Sequence, residues 1–398
     1  MKLRDYQVTA NEKALPILNQ YGHVVLNFVC RAGKTHTSLA LAELYGAKSV
    51  LFITKKNAIP SIQEDYDGAS VSFTMQIINI ESIHKIIGTY DLVIYDEYHS
   101  FGYIQKPMKK NKLFEKYRHL PMISITATLF TETFSTAYSL FPREFSEYRN
   151  FYQWYGIFGD LKTKQFGQLQ VKDYSRAHKT SIFKRIDKYI VSITQDQAGF
   201  NRKVENRLVE TFCPEIDKLT KLMKRDKVIC DYVADSIAKE FSAICQLAGG
   251  TLKLDDTHNK IFSTVKIERI YEDLKDKKIA IYYKYKAEKT LIEAFYGDKG
   301  YTVSDDIDVF KASSRKSVYI GQFRSKREGV KLDFINDIVF YGMPFSNLDY
   351  LQSKERILSV EKEDACTCHI YITGLEKKIH DVVVNKKGKF NLESYKRG

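Results

Sequence analysis

Apolar positions along the chain fall into short β-rich runs separated by helical spacing. Residues 23–29, 49–54, 76–80, 92–95 and 122–125 are such runs, and 35–45 carries a helical pattern between the first two. Strands that are apolar at nearly every position, rather than at alternate ones, belong to parallel sheets covered on both faces. In such sheets ligands bind at the carboxyl ends of the strands. From 141 to 185 the pattern turns irregular, polar and aromatic, with Tyr148, Phe151, Tyr152, Trp154, Tyr155 and Phe158 close together. Strand signals return at 204–212 and a helical stretch covers 214–247. A second alternating series then runs through 278–283, 317–321, 337–341 and 369–373. The basic segment 385–398 reads as a short helix with a frayed end. These breaks predict a first domain over 1–145, a linker or insertion over 146–185 and a second domain over 186–398 that includes the helical segment 214–247.

Composition adds little to the fold and more to the partner. The 398 residues suit two α/β domains, and 44% hydrophobic with 28% charged residues is a globular composition. Sixty-two Lys and Arg against 49 Asp and Glu leave a formal charge of +13. Such an excess favours a polyanion, because neutralised phosphates release their counterions; by itself it fits DNA, RNA or an anionic membrane surface. The opening residues lack the apolar core of a signal peptide, and no run is long enough to span a bilayer. The scattered cysteines suit a reducing, cytoplasmic setting. Cys366, Cys368 and His369 do not make a zinc site by spacing: a strand puts the two thiols on one face and the imidazole on the other.

Two local patterns carry chemistry. Gly33-Lys34-Thr35 stands between a strand and a helix. A phosphate-binding loop needs inward backbone N–H groups, a Lys for the β/γ-phosphates and a hydroxyl for Mg2+. This stretch supplies the second half of that pattern, with Phe28 where the first glycine belongs. The run Leu92-Val93-Ile94-Tyr95 then ends in Asp96-Glu97-Tyr98-His99. One carboxylate at a strand end can hold Mg2+, and a second beside it can orient the attacking water. Together the two patterns predict an ATP site.

With those motifs placed, the chain resembles the superfamily 2 helicases, in particular the Swi/Snf-like branch and its small phage- and prophage-encoded relatives of DEAD/DEAH type. Leu3-Arg4-Asp5-Tyr6-Gln7 is similar to the family opening, Ala32 to Thr35 to motif I, and Asp96 to His99 to motif II. Residues 50–55 and 78–82 resemble motifs that touch a nucleic-acid strand, and Ser124 to Thr128 resembles motif III. In the second half, 279–285, 325–332, 338–346 and 352–356 resemble motifs IV, V, the strand and turn after it, and the start of VI; 375–387 resembles the closing helix. The resemblance implies an α/β fold of two tandem RecA-like domains, each a largely parallel sheet flanked by helices, with a short irregular or helical insertion between them.

The resemblance also implies roles. Gln7 reads adenine; Ala32, Gly33 and Lys34 hold phosphates; Thr35 and Asp96 bind Mg2+; Glu97 positions water. Gly329 and Gln352 complete the nucleotide site. Arg356 is the arginine finger, with Arg324 or Arg327 as substitutes, since Ser359 stands where relatives carry a second Arg. His99 links motif II to the second lobe or is a loop imidazole. Lys106, Lys109, Lys110 and Lys112 form a solvated loop or a phosphate contact. The 148–158 aromatics pack between lobes or stack bases, while core and surface roles are both open for Tyr282, Tyr283 and Tyr285. The activity implied is a nucleic-acid-dependent ATPase acting as helicase or double-strand translocase. DNA is favoured over RNA, no membrane is involved, and phage or host replication and recombination proteins are candidate partners in the host cytoplasm. A nucleic-acid-binding protein with a decayed ATPase site is the rival reading.

Overall fold

The structure, a computed structural model, describes residues 2–131, 133–166, 169–255, 258–323, 330–386 and 388–396. The chain forms two compact units, Met1–Gly199 and Phe200–Gly398.

In the first unit the strands are β1 (His23–Phe28), β2 (Ser49–Thr54), β3 (Thr74–Asn79), β4 (Leu92–Tyr95), β5 (Met122–Thr126) and, after a hairpin of β6 (Lys162–Phe166) and β7 (Leu169–Asp173), β8 (Ile190–Ile193). Six of them make one sheet in the order β3-β2-β4-β5-β1-β8, every pair parallel. All four residues of β4 and all five of β5 are buried, which explains why these segments read as unbroken apolar runs. Helix α1 (Asp5–Tyr21) precedes β1, and α2 (Lys34–Tyr45) follows it.

The segment expected to link two domains belongs to this unit. Phe151, Trp154, Tyr155 and Phe158 of the helix Phe151–Phe158, with Ile182 and Ile186 of the helix Lys179–Ile186, lie in the same buried cluster as Tyr95, Tyr98 and Phe101. Beyond them β8 pairs with β1 along Val25↔Ile190 to Phe28↔Ile193. The expected boundaries at 145/146 and 185/186 are thus corrected to one break at 199/200. The aromatic density that looked irregular is core packing.

The second unit holds β9 (Val204–Glu210), two small hairpins of β10 (Val228–Ile229) with β11 (Tyr232–Val233) and β12 (Thr251–Lys253) with β13 (Asn259–Ile261), then β14 (Ile279–Tyr283), β15 (Thr302–Ser304), β16 (Ser317–Gln322), β17 (Asp337–Phe340) and β18 (Cys366–Ile372). Its main sheet is β15-β16-β14-β17-β18-β9, again parallel throughout. The stretch 214–247 resolves into two helices, Pro214–Asp226 and Ile237–Ala248, with the first small hairpin between them. Each unit is therefore a parallel α/β sheet flanked by helices. This is the tandem RecA-like architecture that the sequence predicts.

Candidate active site

The loop after β1 leaves regular structure through two left-handed residues, Arg31 (φ 67°) and Gly33 (φ 68°), before α2 begins at Lys34. Gly33 suits that backbone. Its backbone lies where side chains are strained, and a Cβ would meet Gln7 Nε2 at 2.3 Å. That amide donates to the Gly33 carbonyl at 3.1 Å and the Ala32 carbonyl at 3.5 Å, while Gln7 Oε1 accepts the Arg4 N–H at 2.9 Å. Tyr6 adds its hydroxyl to the Ala32 carbonyl at 3.3 Å. The start of α1 thus grips the loop from one side. The Lys34 ammonium donates to the Phe28 and Val29 carbonyls, 3.1 Å each, so it lies over the loop. Thr35 follows in the first turn of α2.

Two strands away, β4 ends in the acid pair. Sheet order β4-β5-β1 brings the loop, the end of β5 and the carboxylates to one carboxyl edge, with roughly 5 Å between neighbouring strands. Asp96 accepts the Thr54 hydroxyl at 2.9 Å and the Glu97 N–H at 2.9 Å. Glu97 adopts φ 51°, a left-handed turn that re-aims its side chain at the strand end. Its carboxylate is 3.1 Å from His99 Nδ1, which is also 3.2 Å from Thr126 Oγ1. Thr126 in turn donates to the Thr128 carbonyl and accepts the Thr128 N–H, 3.1 Å each. A continuous polar chain therefore joins the acid pair to the end of β5.

The two carboxyls are driven apart. Burial, and then the neighbouring Glu97 charge, push Asp96 up to about 6 against the pull of Thr54 and Lys34. Burial also works to raise Glu97, but the hydrogen bond and charge of His99, with Lys55 and Lys34, outweigh it and hold that carboxyl down. A fixed anion beside a group that can take a proton is the division of labour that acid–base sites use. The donor set fits Mg2+: a hydroxyl from Thr35 and a hard carboxylate oxygen from Asp96 are its usual ligands, completed by phosphate and water. Among the described residues no group of three His, Cys, Asp or Glu side chains could hold a metal alone, and a phosphate-shared Mg2+ does not need one.

In the second unit Gln352 is buried and Arg356 half-buried in the turn Glu355–Ile357. Arg356 donates to the Val330 carbonyl at 3.4 Å, and its own carbonyl accepts the Leu332 N–H at 3.2 Å. The segment around 330–332 and the turn Glu355–Ile357 therefore meet through Arg356. Gly329, Arg324 and Arg327 lie outside the described residues.

Other expectations resolve differently. Lys106, Lys109 and Lys112 are exposed, whereas Lys110 donates to the Ser100 carbonyl beside motif II. Of the six aromatics between 148 and 158, only Tyr152 is exposed. Tyr282 and Tyr283 are core, and Tyr285 is half-buried beyond β14. Cys366 and Cys368 are buried thiols, raised by burial, and His369 instead meets Asp337 at 2.7 Å. Sequence reasoning missed Thr54 as a partner of Asp96 and Thr126 as a partner of His99.

No family model and no curated protein matches this chain. Among solved structures it is similar to the ATP-dependent Type ISP restriction-modification enzyme LlaBIII bound to DNA, at 15% identity and a TM-score of 0.51. The match covers 94% of this chain and 28% of that one. The likeness is one of fold: two parallel α/β units in tandem. No described helix is long and apolar enough to cross a membrane.

Proposed function

We propose that the protein is a DNA-dependent ATPase, a helicase or double-strand translocase of the Swi/Snf-like kind. The observation that carries this reading is the shared edge of the first sheet, where Lys34 and the Gly33 turn stand across β5 from Asp96 and Glu97. In this reading Lys34 and the amides around Gly33 hold phosphates, Thr35 and Asp96 hold Mg2+, and Gln7, already fixed to the loop, faces the base. Bound Mg2+ would neutralise charge on the phosphates. Glu97 orients the attacking water, and His99 and Thr126 pass the state of that site to the end of β5. Gln352 and Gly329 are assigned to nucleotide binding and Arg356 to the transferring phosphoryl. The DNA-bound state of the enzyme LlaBIII supports DNA over RNA, and the +13 charge suits a polyanionic partner. Partners of the phage or host replication class fit such a motor.

The test is phosphate release with and without DNA. Lys34→Ala should lower turnover roughly 10²–10³-fold, the size of losing one preorganised charge-stabilising donor, with DNA affinity kept. Unchanged turnover in that variant would remove the site assignment. Absence of turnover in the unmodified protein, with DNA bound, would favour the decayed-ATPase reading.

A further inference from the structure

Strand β9 is the outer strand of the second sheet, and the chain leaves it into a groove of about 480 Å³ along the helix Pro214–Asp226. Phe212, Leu219 and Leu222 give the groove apolar surface, and the exposed Lys218 and Lys221 add two ammonium groups. Its volume falls within the ~300–1,000 Å³ of clefts that enclose a ligand.

The helix carries more apolar surface than its own core covers. Ile216 and Met223 are buried in a cluster with Ile229, Ile244 and Leu247, whereas Leu219 and Leu222 are only partly covered by it. Phe212 stands further out, 74% exposed, and is the most open aromatic among the described residues. Its neighbours on both sides are anchored. The Thr211 N–H and hydroxyl donate to the Ile372 carbonyl at 2.9 and 3.2 Å, and the same hydroxyl lies 2.6 Å from that of Thr373. Cys213 is buried with Sγ 3.2 Å from Ser263 Oγ, and its carbonyl accepts the Asp217 N–H at 3.1 Å. Pro214 then opens the helix with its φ already set. A ring held out between two fixed residues costs little further ordering when it binds.

Exposed apolar surface rimmed by polar groups marks a protein-binding site. Among the described residues neither the Lys218 nor the Lys221 ammonium has an ion-pair partner, so both are open to a carboxylate. Acids close the row at either end. Asp217 lines the groove before Lys218, and Asp226 holds Arg225 through two bonds of 2.7 Å. That order of charges separates a polypeptide from a nucleic-acid strand. A strand carries a phosphate at every nucleotide, so along the roughly 14 Å from 217 to 226 it would set phosphates against the acids as well as the lysines. A polypeptide can confine its carboxylates to the middle. The leucines add to the distinction: they pack against aliphatic anchors, but would desolvate the polar edges of a base without pairing them.

We propose that this groove docks an acidic amphipathic segment of a partner protein, its apolar side chains against Phe212, Leu219 and Leu222 and its carboxylates against Lys218 and Lys221. The proposal stands apart from the ATPase reading and survives or fails without it. The probe is a fluorescein-labelled helical peptide of about four turns, or 14 residues, with leucines one turn apart flanked by glutamates. A second peptide carries Lys for every Glu, and a labelled oligothymidylate represents the strand. Fluorescence anisotropy on the full chain at one fixed salt concentration should show the acidic peptide bound and the basic one not. Phe212→Ser should weaken the acidic peptide roughly tenfold, the scale of one large apolar side chain left unburied. Lys218→Glu combined with Lys221→Glu should exchange the preference, so that the basic peptide binds and the acidic one does not. Circular dichroism checks folding; if the charge-reversed variant does not fold, Lys218→Gln with Lys221→Gln is read for loss of the acidic peptide. An acidic peptide that does not bind, or binds the variants as it binds the unmodified chain, overturns the proposal. Loss of oligothymidylate binding in the lysine variant with peptide binding unchanged also overturns it, and makes the groove a strand site.

Discussion

The carboxyl edges of the two sheets use the same residue types for opposite ends. In the first unit Asp96 and Glu97 keep part of their surface open, and their partners include a hydroxyl, a backbone N–H and an imidazole. In the second, Glu376 is saturated: it takes the Lys266 ammonium at 2.6 Å, the Thr373 N–H at 3.0 Å and the Met343 N–H at 3.2 Å, and is 1% exposed. Carboxylates with spare acceptor capacity can meet a metal or a water; saturated ones can only hold loops in place. The difference assigns chemistry to the first edge and a rigid frame to the second. It also shows that acidic residues near strand ends are uninformative until their partners are known.

The largest expected effect breaks the frame. Lys266→Met leaves Glu376 buried without its counter-ion, and removing one partner of a buried pair costs about 3–5 kcal/mol. Denaturant unfolding should show the second unit destabilised by that order while the first unit's transition stays in place. A loss below 1 kcal/mol would mean that the pair does not hold the strand-end loops.

A smaller effect sharpens the contrast between buried bases in the two units. Lys266 has a carboxylate; His23, 2% exposed, has Ser124 at 3.0 Å and lies near Arg143 and Arg118. Burial first, then those two guanidiniums, push the imidazole down to about 3. Between that value and the ordinary 6.5 the unfolded chain binds a proton that the folded chain refuses, so stability falls as pH drops below 6.5. From pH 7 to pH 5 the loss is about 2 kcal/mol, at roughly 1.4 kcal/mol per pH unit. The same pH pair measured on His23→Gln should show the loss reduced by that amount.

How much of this was legible follows from what each feature depends on. The spans of β2 and β4 stand out end to end in the sequence because a strand covered on both faces is apolar at nearly every position. β8 was missed: Ile-Val-Ser-Ile is four residues long at the edge of the sheet, with a pattern too short to register. Helix α1 was hidden by Pro16 and by weak periodicity. The motifs marked Lys34, Asp96 and Glu97 because their chemistry is local. Thr54 and Thr126 depend on register, since Ile53 pairs with Tyr95 and Tyr95 with Ser124, and no local pattern encodes that. The Lys266–Glu376 pair spans 110 residues and is equally silent.

The smallest effect concerns the open edge itself. If Asp96 must be ionised to hold Mg2+, the active fraction is half at about pH 6, the value to which burial and then Glu97 raise it. Turnover should be flat well above that pH and fall tenfold per unit below it, as expected for a single proton. Two perturbations fix the assignment. Higher Mg2+ should move the midpoint to lower pH, because metal binding favours the deprotonated form. Thr54→Val should move it to higher pH, because the hydroxyl now stabilises the carboxylate at 2.9 Å. A midpoint indifferent to both Mg2+ and Thr54 would therefore put the titrating group elsewhere and erase the contrast between the two edges.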